Sequence, residues 1–128
     1  MKTTKAADIM TTNVITVKKD MVLTDVIGLL LRWHISAMPV VDEDNKLIGI
    51  VSEIDLVNMT FDGNAADTTV EEVMTTDIIS FSPTTELADL VQSFSKRHLR
   101  RVPILDEGRV VGVVSRRDLL REMLRRYN

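Results

Sequence analysis

Cysteine is absent from the chain, so it can build neither a disulfide framework nor a thiolate nucleophile, and a cysteine-based zinc site is excluded. The start, Met1-Lys2-Thr3-Thr4-Lys5, lacks the apolar stretch of a secretory signal. Long hydrophobic runs are missing too: the longest, Val26 to Leu31, is far short of the roughly 20 residues that cross a bilayer. There is no surplus of positive charge. The net charge of −3 argues against non-specific nucleic-acid binding, which needs a basic field. No nucleophile–base pair, glycine-rich phosphate loop or metal-ligand cluster stands out. The expectation is a cytoplasmic protein without a membrane span, without catalytic cofactors or metal, and not an enzyme.

What is present is a repetition. Met10-Thr11-Thr12 recurs as Met74-Thr75-Thr76, and the same offset of 64 separates His34 from His98, Pro39 from Pro103 and Asp42-Glu43 from Asp106-Glu107. One deletion then shifts the offset to 63, and Gly49-Ile50-Val51-Ser52-Glu53-Ile54-Asp55-Leu56 returns as Gly112-Val113-Val114-Ser115-Arg116-Arg117-Asp118-Leu119. The 128 residues, 45% hydrophobic, make one body of domain size. A repeat of about 60 residues alone buries only about 60% of its unfolded surface, so the two copies are expected to share one core.

Each copy reads as β-α-β-β-α. In the first, Val14 to Val17 is β-branched and predicts a short strand. Residues 20–34 predict a helix, with Leu23, Val26, Ile27, Leu30 and Leu31 at helical spacing. Met38 to Val41 and Lys46 to Val51 flank the turn Asp42-Glu43-Asp44-Asn45 as a hairpin, and Ser52 to about Thr60 predicts a second helix. Thr69-Val70-Glu71-Glu72 has capping-box spacing and opens a short helix. In the second copy Ile78-Ile79 predicts a strand and Ser82-Pro83 a helix start. Val102–Leu105 with Arg109–Val114 predicts a hairpin, and Ser115–Arg126 the closing helix. The first repeat is assigned to 7–60, a linker to 61–69 and the second repeat to 70–128.

This order, together with Ser36-Ala37-Met38-Pro39-Val40-Val41-Asp42 and Gly49 to Asp55, and with Arg101-Val102-Pro103-Ile104-Leu105-Asp106 and Gly112 to Asp118, resembles a tandem pair of CBS domains, a Bateman module. The resemblance covers about residues 7–125. It implies an α/β (α+β) fold of two CBS repeats packed with pseudo-twofold symmetry, standing alone without an attached effector domain. It also implies an adenine nucleotide (AMP, ADP or ATP) or S-adenosylmethionine as a regulatory ligand, bound in clefts between the repeats. An unidentified effector protein as partner and a homodimer are implied with it. The competing reading is a non-catalytic interaction scaffold with degenerate sites.

Ser52 and Ser115 stand at helix N-caps, with Asp55 and Asp118 at the third helical position. Ser-x-x-Asp can be a plain capping box that satisfies free N–H groups. The same helix start suits phosphate, and a carboxylate one turn along can accept from vicinal ribose hydroxyls. By resemblance, one cleft combines Val14, Ile15, Ser36, Ala37 and Met38 with Ser115, Arg116 and Asp118. The other combines Ile78, Ile79, Arg100, Arg101 and Val102 with Ser52 and Asp55. Without the resemblance, the apolar members read as ordinary core strand. Arg116 and Arg117 replace Glu53 and Ile54 at equivalent helix starts, so charge alone ranks the Asp118 cleft as the tighter. His34 and His98 read as helix-end residues. Trp33 and the seven methionines read as packing, and the arginine-rich last helix as a face that packs on the core or on a second subunit.

Overall fold

A computed structural model describes residues 3–60 and 64–127; positions 61–63 of the expected linker lie outside the described residues. In chain order the elements are α1 (Ala6–Ile9), β1 (Val17–Lys18), α2 (Leu23–Trp33), β2 (Ala37–Val41), β3 (Leu47–Ser52) and α3 (Glu53–Thr60). They continue with α4 (Val70–Val73), α5 (Leu87–Arg97), β4 (Arg101–Asp106), β5 (Arg109–Ser115) and α6 (Arg116–Arg126). The fold is α+β.

The chain forms two compact units. One is continuous, residues 15–78; the other is split, residues 1–14 and 79–128. The short helix before each repeat therefore belongs to the unit of the other repeat. This is why the expected single core is not found. Buried apolar residues form two clusters. Val17, Leu23, Val26, Leu30, Met38, Val40, Val51, Leu56 and Val70 fill the continuous unit. Ala6, Leu90, Phe94, Val102, Ile104, Val114 and Leu119 fill the split one. Each repeat makes up its shortage of apolar surface by recruiting a helix from outside itself, through the fully buried Val70 in one case and Ala6 in the other.

In the continuous unit the sheet order is β1-β2-β3. β1 pairs parallel with β2, Val17 opposite Val40, and β2 pairs antiparallel with β3, Ala37 opposite Ser52. The hairpin turn is held by Asp42, whose Oδ1 accepts from the N–H groups of Asp44 and Lys46, both at 2.9 Å. The Lys46 N–H, foremost, holds the Asp42 carboxyl below the usual carboxylate range. Asn45 takes a positive φ of 65°, which asparagine tolerates. In the split unit β4 and β5 pair antiparallel, Arg101 opposite Ser115. There Glu107 and Gly108 both have positive φ, the conformation that matches strand twist in a two-residue hairpin.

The recurring Met and Gly now have a joint reason. A Cβ added at Gly49 would fall on the Met74 side chain, and one at Gly112 on Met10. The adjoining threonines pair with the same strands. Thr75 exchanges both backbone hydrogen bonds with Ile50, and Thr11 does so with Val113. Each Met-Thr-Thr thus lies on the hairpin of its own unit because glycine leaves the room.

Four expected elements are shorter than the sequence indicates or do not form. The strand over 14–17 is reduced to Val17–Lys18, because only these residues have ladder partners, Val40 and Val41. Ile78-Ile79 forms no strand; the parallel bridge of the split unit falls on Phe81, opposite Ile104. The helix expected from Ser82-Pro83 begins at Leu87. The hydroxyls of Ser82, Thr84 and Thr85 bond to one another. The carbonyls of Pro83 and Thr85 accept from Ala7 and Ala6, so the segment spends its backbone on α1. Likewise α2 starts at Leu23 rather than at 20. Both α2 and α5 end on a histidine, His34 and His98, each left-handed at φ 53°.

Candidate functional site

Each unit brings one Ser-x-x-Asp turn beside the first strand of its hairpin. In the continuous unit, β3 ends in extended backbone at Ser52 and α3 begins at Glu53. Ser52 donates twice to Asp55 Oδ2, from its N–H at 3.0 Å and its hydroxyl at 2.9 Å. Asp55 N–H points back to Ser52 Oγ at 3.4 Å. Ser52 pairs with Ala37, and the Glu53 N–H donates to the Ser36 carbonyl at 2.9 Å. Ser36, Ala37, Ser52 and Asp55 are all half-buried. Ile15 is half-buried against the core of this unit.

The split unit repeats the arrangement. Ser115 donates to Asp118 Oδ2 from its N–H at 2.8 Å and its hydroxyl at 3.0 Å, and Asp118 N–H donates to Ser115 Oγ at 3.2 Å. Arg101 pairs with Ser115, and the Arg116 N–H donates to the Arg100 carbonyl. Ile79 packs against this core, half-buried. The capping box read from the sequence is therefore real in both copies, with reciprocal side-chain and backbone bonds at the helix start.

Several residues differ from their expected surroundings. The side chains of Met38 and Val102 are fully buried in the two cores, at 0% and 1% exposure, where they act as ordinary strand packing. Val14 and Ile78 are half-buried and outside regular structure. Arg116 lays its guanidinium on the end of α5: Nε donates to the Leu99 carbonyl at 2.6 Å and Nη2 to the His98 carbonyl at 3.1 Å. A cation at a helix C-terminus complements the helix dipole. Glu53, at the equivalent place, cannot donate in this way. Arg121, one of the arginines of the last helix, donates from Nη1 to Asp118 Oδ1 at 2.8 Å. Its spacing of three residues from Asp118 was the available signal.

Elsewhere in the split unit Glu122, only 6% exposed, accepts from Arg125 Nε and Nη2 and from Arg126 Nε. The Arg125 guanidinium, with help from Arg126, holds the Glu122 carboxyl below its ordinary range. Glu122 and Arg125 line a surface pocket of about 380 Å³ with Thr3, Thr4 and Asp8. Among the described residues no cluster of His, Asp and Glu could hold a metal ion, and no helix is long and apolar enough to cross a membrane.

The chain matches the CBS domain twice, at residues 6–61 and 70–125. It belongs to the CBS domain family, as a tandem pair. It is 34% identical over 113 residues to the CBS domain-containing protein YhcV of Bacillus subtilis, covering 88% of this chain and 80% of that one. Among other curated relatives it matches, it spans 41% of the length of one and 13% of another. Its fold superimposes on CBSX2 in complex with AMP with a TM-score of 0.87 at 26% identity, covering 97% of this chain and 98% of that. It superimposes on the CBS domain pair of protein MJ0100, in complex with 5-methylthioadenosine and S-adenosyl-L-methionine, with a TM-score of 0.83 at 28% identity, covering 98% and 99%.

Proposed function

We propose that this chain is a regulatory module that binds an adenosine-containing ligand and passes its occupancy to a partner protein, with no reaction of its own. The observation that carries the reading is the doubled Ser-x-x-Asp turn. In both units the helix start and its carboxylate are already ordered by reciprocal hydrogen bonds, so phosphate and ribose would meet groups that need little rearrangement. The complexes of CBSX2 with AMP and of the MJ0100 pair with S-adenosyl-L-methionine support an adenosyl group as the common denominator. An adenine nucleotide, AMP, ADP or ATP, is the proposed form. Ile15 and Ile79, half-buried beside the turns' own cores, are the apolar side chains offered to the base. The exposed stripe Leu120, Met123 and Leu124 on α6 supports association as a homodimer.

A thermal-shift panel of AMP, ADP, ATP and S-adenosylmethionine tests the reading. Ligand at 100 times its dissociation constant adds about 2.7 kcal/mol of stability, a clear rise in melting temperature. Sedimentation of the same samples should give twice 14.4 kDa. Absence of any shift at millimolar ligand returns the chain to the scaffold reading, and a 14.4 kDa species at high micromolar concentration removes the dimer.

A further inference from the structure

The two Ser-x-x-Asp turns differ in one contact, and the difference bears on which of them a ribose can use. A carboxylate offers about four lone-pair positions, two on each oxygen. In both turns Oδ2 is filled by the serine N–H and hydroxyl. A vicinal diol brings two donors and so needs both positions on Oδ1. At Asp118 one of these is taken by Arg121 Nη1 at 2.8 Å, on a side chain only 4% exposed. The residue equivalent to Arg121 in the first copy, at the offset of 63, is Asn58. It is exposed, and Asp55 Oδ1 accepts no hydrogen bond from any described residue. Asp55 is also the more open of the two carboxylates.

We propose that Arg121 is an internal plug that makes the two turns unequal: Asp55 carries the tighter adenosine-ligand site, and Asp118 a weaker one that fills only when Arg121 is displaced. The proposal rests on reading the turns as ribose sites. It reverses the order that charge alone gives, because Arg116, one of the two arginines at that helix start, is spent otherwise, while Arg117 is exposed. The Arg116 guanidinium sits on the carbonyls at the end of α5, and Arg121 on the carboxylate itself. A partner needing two ligand levels would then read them from one chain, the first turn filling at low concentration and the second at high.

Calorimetry of the intact chain with AMP, and in parallel with S-adenosylmethionine, decides this on the wild type, Asp55→Ala, Asp118→Ala, Arg121→Asn and Asn58→Arg. Arg121 is 70% exposed and Asn58 is exposed, so these two exchanges leave the cores intact, and a thermal melt of each unliganded variant verifies it. The wild type should show two classes of site, the tighter one removed by Asp55→Ala. Arg121→Asn should strengthen the weaker class by about two- to fivefold, the range an exposed charge pair commands, and leave the tighter class in place. Asn58→Arg should weaken the tighter class by a similar factor. A weaker class that is unmoved or further weakened by Arg121→Asn overturns the plug, as does loss of the tighter class in Asp118→Ala. If neither ligand binds any of the five proteins at millimolar concentration, the ribose reading itself fails. Binding that ignores positions 58 and 121 sinks only the plug.

Discussion

Helices α3 and α6 follow equivalent strands and open on the same turn, yet their core-facing positions are built differently. Met59 in α3 is half-buried and packs against the apolar core of its unit. At the equivalent place in α6 stands Glu122, buried at 6% exposure and clamped by Arg125 and Arg126. Among the described residues α3 makes no ion pair, whereas α6 makes three. These pairs all lie within α6, which also reaches out of itself through Arg116 to the His98 and Leu99 carbonyls and through Arg126 Nη2 to Thr4 Oγ1 at 2.9 Å. A twofold repeat of topology therefore does not impose a twofold repeat of chemistry. The backbone hydrogen bonds are copied, and the side chains are free to diverge wherever a second partner, such as an arginine one turn on, can satisfy a buried charge.

Removing the apolar anchors is the strongest test of that contrast. Leu56 and Leu119, at 3% and 8% exposure, are equivalent core residues. Leu56→Ala and Leu119→Ala should each destabilise by about 2–5 kcal/mol in urea denaturation, with Leu56→Ala the larger because Leu56 is the more deeply buried. A loss below about 1 kcal/mol for Leu119→Ala, under the low end of that range, would mean that the contacts of Arg116 with the end of α5 and of Arg126 with Thr4 hold α6 without its apolar anchor.

The caps should give a smaller effect with the opposite ranking. Ser115→Ala should cost about 0.5–2 kcal/mol, since Asp118 is buried and loses a donor at 3.0 Å. Ser52→Ala should fall at the low end, because the half-buried Asp55 can turn to water and its N–H sits 3.4 Å from the hydroxyl. Equal losses in the two melts would remove burial as the distinction.

The smallest effect concerns Glu122, and it is visible through pH. Its folded carboxyl titrates below the ordinary value because Arg125, then Arg126, favours the charged form. The stabilisation is therefore complete above the ordinary carboxylate pKa of about 4.3 and is lost as pH falls through the lowered folded value. Glu122→Met, which gives α6 the residue type of α3, should remove this dependence. The melting temperature of the variant relative to wild type should rise between pH 7 and pH 3. A constant difference across that range would show that the network contributes nothing linked to protonation.

The elements that could be read from the sequence are those whose determinants are local. Both hairpins follow from β-branched runs around Asp42–Asn45 and Glu107-Gly108. The capping boxes follow from Ser-x-x-Asp and from Thr69-x-x-Glu72, where Thr69 N–H donates to Glu72 at 2.7 Å. Positions that depend on distant chain were misread. Val14–Thr16 has strand composition but no ladder partner. Ser82-Pro83 has the look of a helix start, but its backbone is claimed by α1. Arg116 looked like a phosphate contact because nothing near it in sequence reveals that the end of α5 lies within reach. Arg121 was legible as a partner of Asp118 by spacing, but its effect on the carboxylate depends on how deeply Asp118 is buried. The two cores in place of one follow from where α1 and α4 pack, which periodicity within either helix does not encode.

The exchange of those short helices also sets an order of assembly. The pairing of Ile50 with Thr75 closes a loop of about 25 residues, and that of Thr11 with Val113 one of about 100. That is two doublings of length, or about 1.2 kcal/mol more closure entropy. On a ribosome the contiguous unit has its last β-bridge partner once residue 75 emerges. Residues 4–7 wait for their partners until 83–87 emerge, and Thr11 waits until strand β5 has been made, so this segment is among the last to find its place.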